Sequence, residues 1–393
     1  MNIEKKLIPL LRFPEFEKDG MWGEKCFGDC LDYEQPQQYL VSSDNYKKEG
    51  TPVLTAGKTF VLGFTDESYG IYRQLPVIIF DDFTTASRYV NFPFKAKSSA
   101  MKMLQNKDGY DLKFMFEALQ NYKYEPKEHQ RHWISIFQNF KTLVPSYSEQ
   151  QKIAECLSSI DSYIYTVNEK VEQLKAHKKS LLQKLFPQGG KTVPDYRFPE
   201  FEKDGAWEEK ELGELIVEIA EFTSRGNNVP LYSLTIEDGV SPKTDRYERN
   251  FLVKKEGDNF KVVYPDDFVS NPMNLRFGAI GYNKESFKVC ISGYYDVFRF
   301  KDKGTSSFWI SYMKSDWALD MYDRIATGSL YEKRRVHFSS LLRTKLLVPK
   351  YSERLKISEY LSSMEEVISL NSKKASLLEQ HKKGIMQQLF HKS

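Results

Sequence analysis

The 393-residue chain has only four cysteines and six histidines. Cys26, Cys30, Cys156 and Cys290 show no framework spacing, which excludes a disulfide-stapled scaffold and leads us to expect a reducing, cytoplasmic setting. No run of about 18 apolar residues occurs, so no transmembrane helix and no membrane partner are expected. The start, MNIEKKLIPLLRFPEF, is interrupted too early by Pro9 and Arg12 to read as a signal peptide. Neither sign of charge dominates: 57 Lys and Arg against 54 Asp and Glu leave +3, which excludes a strongly acidic mimic of DNA. A nucleic-acid partner must therefore be judged from local distribution. Aromatic residues are plentiful, with 27 Phe, 24 Tyr and 5 Trp, so the chain is not a solvated tail. At roughly 100–200 residues per domain, the length suggests two to four units.

Complete catalytic motifs are also lacking. Thr55-Ala56-Gly57-Lys58-Thr59 resembles a phosphate loop, but Pro52 stands where the leading Gly belongs and has no N–H to offer. Asn271-Pro272-Met273-Asn274 resembles the Asn-Pro-Pro-aromatic tetrapeptide of amino-methyltransferases without its second Pro or its aromatic. Cys26 and Cys30 have no second ligand pair nearby, and read as ordinary thiols. Asp81-Asp82 and Asp266-Asp267 follow strand-like runs, where a turn or capping role outweighs a metal. No nucleophile, base and orienter can be assembled by spacing, so no catalytic and no metal residue is assigned.

What the chain does contain is a repeat. RFPEFEKDG occurs at 12–20 and again at 197–205, and the match continues at Trp22/Trp207, Glu24/Glu209, Lys25/Lys210 and Gly28/Gly213. VPSYSEQQKIAECLSS at 144–159 pairs with VPKYSERLKISEYLSS at 348–363, and HKKSLLQKLF at 177–186 with HKKGIMQQLF at 381–390. The first offset is 185 and the second 204, so the second copy is 19 residues longer between blocks, with a divergent sequence there. Each copy is an opening motif, a variable body and a closing segment.

The closing segments carry heptads. Ile153, Leu157, Ile160, Ile164, Val167, Val171, Leu174, Lys178, Leu181 and Leu185 advance by alternating steps of four and three. Ile357, Leu361, Met364, Ile368, Asn371, Ala375, Leu378, Lys382, Ile385 and Leu389 repeat the register. This is a coiled-coil seam in which Asn371 and the two lysines weaken the core but fix register. Two such helices related by a pseudo-two-fold axis predict an antiparallel pair acting as a ruler of about 50 Å. The bodies read as α+β, with strands in TPVLTAGKTFVLGFT, LPVIIFDDF, GDNFKVVYP, FGAIGYN and KVCISGYYDVFRF. Helices are expected in SSAMKMLQ, DLKFMFEALQNY and SSFWISYMKSDWALDMYDRI. The expected fold is two globular α+β domains joined by two long helices. The boundaries are 1–147 for the first domain, 148–187 for a central spacer helix, 188–351 for the second domain and 352–393 for a closing spacer helix.

Both bodies interleave cations with aromatics. The first carries Lys58, Arg73, Arg88, Lys95, Lys97 and Lys102 among Phe60, Tyr72, Phe83, Tyr89, Phe92 and Phe94. The second carries Arg276, Lys284 and Lys288 around Tyr282 and Asn283, then Lys333, Arg334 and Arg335 after Gly328-Ser329. Lys and Arg neutralise phosphates, and Arg, Lys and Asn can read purine edges. Lys58, Arg73, Arg88, Lys95, Lys97, Arg276, Asn283, Lys284, Arg334 and Arg335 are the DNA-binding candidates. A solvated surface is the bland alternative for any one of them.

The doubled opening motif, the doubled VP-x-YSE-x-x-K-I helix start and the doubled HKK…Q-x-LF helix end together resemble the specificity subunit of type I restriction–modification enzymes. The resemblance covers essentially the whole chain. It implies two target recognition domains, each reading one half of a bipartite double-stranded DNA sequence, and helices that set the gap and dock two methyltransferase subunits. A restriction subunit then joins. It implies a subunit that is not itself an enzyme, with S-adenosylmethionine, ATP and magnesium held by its partners. A two-domain DNA-binding regulator and a coiled-coil adaptor without restriction partners remain the alternatives.

Overall fold

The heptad segments form two α-helices of 39 residues, Tyr147–Leu185 and Tyr351–Leu389, each about 58 Å long at ~1.5 Å per residue. This computed structural model describes residues 8–57, 59–122, 124, 131–224, 229–243, 259–330 and 333–390. Pro145 and Pro349 stand just ahead of the helices, where a fixed φ and a missing N–H do no damage. All twenty seam positions are buried or half-buried, while His177 and His381 beside them are exposed. Among the described residues no helix is long and apolar enough to cross a membrane.

The chain folds as two compact units, Met1–Asn168 with Ser372–Ser393, and Glu169–Asn371. The division thus runs across the long helices rather than at their ends. In the first unit Ile153 and Leu157, early in the central helix, share a core with Leu389 and Phe390, late in the closing helix. In the second unit Leu185 and Phe186 share a core with Ile357 and Leu361. Within each unit the helix segments are therefore antiparallel. The repeated Leu-Phe ending is a plug in both: Phe390 lies 5.3 Å from Phe114, and Phe186 stacks on Tyr312 at 5.0 Å, centroid to centroid.

The bodies share a topology that their sequences conceal. The first has an antiparallel sheet in the order Leu31–Glu34, Met101–Asn106, Val77–Asp81, Ser87–Val90. The second has Ile216–Glu218, Asp296–Phe300, Phe268–Ser270, Ile280–Tyr282 in the same order. Each sheet is apolar on both faces because successive side chains alternate. Val77, Ile79, Met101 and Met103 face a smaller sheet of Thr51–Leu54, Val61–Thr65 and Lys95–Ala96, whereas Ile78, Phe80 and Leu104 face the helix Leu112–Gln120. Phe268, Phe298 and Phe300 likewise separate from Val269 and Val297.

Two expectations are corrected. SSAMKMLQ is not a helix: Met101–Asn106 is a central strand, paired on both sides. Ala, Met and Leu favour helices in isolation, but here burial on both faces of a sheet overrides propensity. The long helix expected over 306–325 is two, Ser306–Met313 and Asp316–Ile325, because the Ser315 side chain accepts from the Ala318 N–H and starts a new N-terminus.

The repeated motifs hold each body to its helix. Arg12 Nε and Nη2 donate to Glu149 at 2.8 and 2.7 Å, and Arg197 makes the same pair with Glu353 at 2.8 and 2.7 Å. Nη1 of each arginine also closes the following turn, on the carbonyls of Asp19 and Gly20 or of Asp204 and Gly205. Lys152 pairs with Glu15, and Lys356 with Glu200. Short strands complete the joint, Gly23–Cys26 with Lys141–Val144 and Glu208–Glu211 with Lys345–Val348.

Candidate nucleic-acid interface

Side-chain burial sorts the ten candidates. Arg73, Arg88, Lys284 and Arg335 are exposed, and Lys97 and Arg334 half-buried. Lys58 lies outside the described residues. The remaining three are corrections, because their polar groups are turned inward. Lys95 is fully buried, paired with Glu67 at 2.5 Å, donating to the Tyr69 carbonyl and lying 4.4 Å from the Tyr69 ring centroid. Arg276 is buried, with Nη1 on Asp323 at 3.0 Å. Asn283 is buried and donates to the carbonyls of Val263 and Phe287, the work of a turn residue. Lys102 is also internal, with Nζ 2.8 Å from Asp82 and bonded to Gln35.

On the first body exposed Arg88 and half-buried Lys97 sit beside aromatic rings. The Arg88 guanidinium carbon is 5.9 Å from the Phe60 centroid, and Phe60 meets Phe92 edge-on at 6.1 Å. Arg88 lies just past the hairpin turn between Val77–Asp81 and Ser87–Val90. That turn is fixed by Asp81, whose Oδ1 accepts from the N–H groups of Phe83 and Thr84 and from the Thr84 hydroxyl at 2.7–3.0 Å. Phe83 is left exposed at its tip. Thr85 takes a left-handed φ of 57° to close it. Lys97 pairs with Asp44 over the Tyr46 ring, which holds its pKa above the ordinary lysine value through the hydrogen bond from Lys97 to Asp44. A rigid hairpin bearing an aromatic, hydroxyls and an arginine can stack on bases and reach phosphate oxygens.

On the second body the cationic segment is a loop closed by mutual backbone hydrogen bonds between Thr327 and Arg335. Arg334 turns back under it, donating to Asp323 and to the carbonyls of Asp323 and Ala326, while Arg335 and Lys333 stay exposed. Lys284 lies over Tyr282 and reaches Glu365 at 3.4 Å.

The paired acids act in turns and ion pairs. Asp82 serves Lys102, and Asp267 takes Arg299 at 2.5 Å and the Tyr264 N–H at 3.0 Å. Among the described residues no group of three or more His, Cys, Asp or Glu stands close enough to hold a metal. Asn271-Pro272-Met273-Asn274 is a turn in which Asn271 caps the Met273 N–H and the Pro272 carbonyl accepts from Val336. Sequence reasoning missed what the repeated arginines and glutamates do. The signal was present in their joint recurrence, at one offset for the arginine and another for the glutamate.

No family model matches the chain. A type I restriction enzyme specificity subunit of Escherichia coli is 42% identical over 163 residues, covering 39% of this chain and 40% of that protein. A second, from Methanocaldococcus jannaschii, is 26% identical over 272 residues, covering 64% of this chain and 61% of its own. A putative third, from the same organism, is matched over 58% of its length, so the chain spans less than two thirds of each of these relatives. The S subunit of the type I restriction–modification system of M. genitalium superposes with a TM-score of 0.63 at 13% identity, over 98% of this chain and 100% of that one. The chain is thus related in sequence to such subunits and shares the fold of one.

Proposed function

We propose that the chain is the DNA-recognition subunit of a type I restriction–modification complex, each body reading one half of a bipartite duplex target. The observation that carries this is the pairing of two bodies of one topology and different surface with identical clamps onto two long helices. Clamps retained and surfaces changed are what two different half-sites read from one kind of scaffold require. The relatives named above favour this over a two-domain regulator or a coiled-coil adaptor. On this reading the exposed faces of the helices dock two methyltransferase subunits, a restriction subunit joins them, and the setting is cytoplasmic. S-adenosylmethionine, ATP and magnesium then belong to those partners. In this chain Pro52 removes the amide that a phosphate loop needs, and the Asn271 tetrapeptide is closed into a turn. The test is selection of the full-length chain against a randomised duplex library, followed by co-expression with a type I methyltransferase subunit and genome-wide mapping of methylated sites. We expect two short motifs separated by one fixed gap. Methylation by the chain alone, or enrichment of a single continuous motif, would overturn the reading.

A further inference from the structure

The seam lysines, which an apolar coil would exclude, are each held in an ion-pair tie centred on an acid of the facing helix. In the second unit Glu365 of the closing helix takes Lys178 of the central helix at 2.6 Å on one oxygen and Lys284 of the body at 3.4 Å on the other. In the first unit Asp161 of the central helix takes Lys382 of the closing helix at 2.6 Å and Lys113 of the body at 2.8 Å. Glu117 doubles that tie, lying 2.6 Å from Lys113 and 3.0 Å from Lys382. Asp161 and Glu365 are repeat mates, as are Lys382 and Lys178. The body lysines are not mates: Lys113 opens the helix Leu112–Gln120, whereas Lys284 comes after the strand Ile280–Tyr282. Two bodies that differ in sequence therefore present a cation to the same point of the helix pair from unrelated places in their chains.

The same tie selects register. A slip of one heptad would set Lys178 opposite Ser358 or Ser372, and Lys382 opposite Ala154 or Asn168, with no acid in any of the four places. Burial works against the charge on Asp161 and Glu365, yet the hydrogen bonds from Lys113 and Lys382, or from Lys178 and Lys284, more than offset it. Both carboxyls sit below their ordinary range. They are ionised whenever the protein is near neutral pH.

We infer that Asp161 and Glu365 are positioning residues for DNA recognition, a common docking point that fixes the angle of each body on its helices and so restricts the target to one gap length. The inference rests on the bipartite reading proposed above. A body that rocks on its helices still reads its own half-site but tolerates more than one spacing, so the tie acts on the gap and not on the half-site sequences.

The full-length chain and the isosteric variants Glu365→Gln, Asp161→Asn and Asp161→Asn with Glu117→Gln are each selected against a duplex library with randomised half-sites and gap. The wild type should enrich one gap. Glu365→Gln should keep both half-motifs and lose roughly three- to tenfold in preference for that gap, with neighbouring gaps appearing. Asp161→Asn alone should do less, because Glu117 still joins Lys113 to Lys382, and the double variant should match Glu365→Gln. A thermal melt of each variant confirms that it is folded, and a merely structural role would lower the melt without widening the gap. If Glu365→Gln and the double variant enrich the same single gap as the wild type, the inference fails alone. If the wild type enriches no split motif, the proposed function fails and takes the inference with it.

Discussion

Arg276 and Lys95 carry the charge that a DNA reader needs, yet each uses it inside its own body. A buried cation persists only when paired; removing the Arg276 side chain opens a cavity and takes one ion pair from Asp323, which keeps Arg334. Arg276→Ala is therefore expected to lower the melting temperature of the chain while leaving half-site preference intact, as a melt and a binding titration will show. Arg88 and Arg335 are exposed and remain the sharper probes. If Arg88 meets a phosphate, Arg88→Ala weakens all duplexes alike and lowers the salt slope by about one unit; if it meets a base edge, the loss is about 1–3 kcal/mol at one position of one half-site. Arg335→Ala should act in the same way on the other half-site. Affinity and specificity unchanged in both variants would move the interface elsewhere. A separate residue reports on stability. Burial first, then the charge of Glu218, raises Asp296 to about 6 against the counter-effect of Lys261. Its folded pKa lies above its unfolded one, so its stabilising contribution is whole below pH ~4 and is lost as pH rises through about 6. Asp296→Asn should thus stabilise the chain at pH 7 and leave it unchanged near pH 3.5, read as the difference between two denaturant titrations.

The elements differ in how much of them a sequence discloses. Heptads and repeats are local patterns, so the seams, the helix starts near Tyr147 and Tyr351 and the antiparallel partnership were all legible. Met101–Asn106 was not, because its helix-favouring residues become a strand only when two flanking strands and two apolar layers enclose them. The inward turn of Lys95, Arg276 and Asn283 was hidden for the same reason: a cation among aromatics reads alike whether it faces water or Glu67. The clamps stood between the legible and the hidden. RFPEFEKDG and YSE were visible twice, but only the fold brings Arg12 to Glu149 across 137 positions. Both side chains are almost wholly buried, at 7% and 1% exposure. Arg12→Ala should then cost about 3–5 kcal/mol, since among the described residues the Glu149 carboxylate keeps only the Trp22 N–H at 3.3 Å. Replacing both partners by leucine should cost much less. Urea titrations of the single and double variants test this, and equal losses would show that the clamp is mere filling.

For the whole molecule, the ruler hypothesis now has fixed ends. The ties Asp161–Lys382 and Lys178–Glu365 set one register, and the Leu-Phe plugs at 185–186 and 389–390 anchor the last turn of each helix in a body core. Lengthening one helix alone must break a tie or pull a plug. Seven residues inserted after Lys175 keep the heptad in phase and add ~10 Å, but they carry Lys178 a full heptad away from Glu365. That variant should lose binding or become permissive in its gap. Matching insertions, seven after Lys175 and seven after Leu370, keep both ties and both plugs and lengthen the helix pair as a unit. Since a duplex rises ~3.4 Å per base pair, the paired insertion should move the gap outward by about three pairs with both half-motifs unchanged. Four-residue insertions at the same two places would add ~6 Å and rotate the remainder of each helix by roughly 40°, and should abolish split-site binding instead. Library selection on the three variants compares them directly. A paired seven-residue insertion that leaves the gap as it was would show that the helices do not set it.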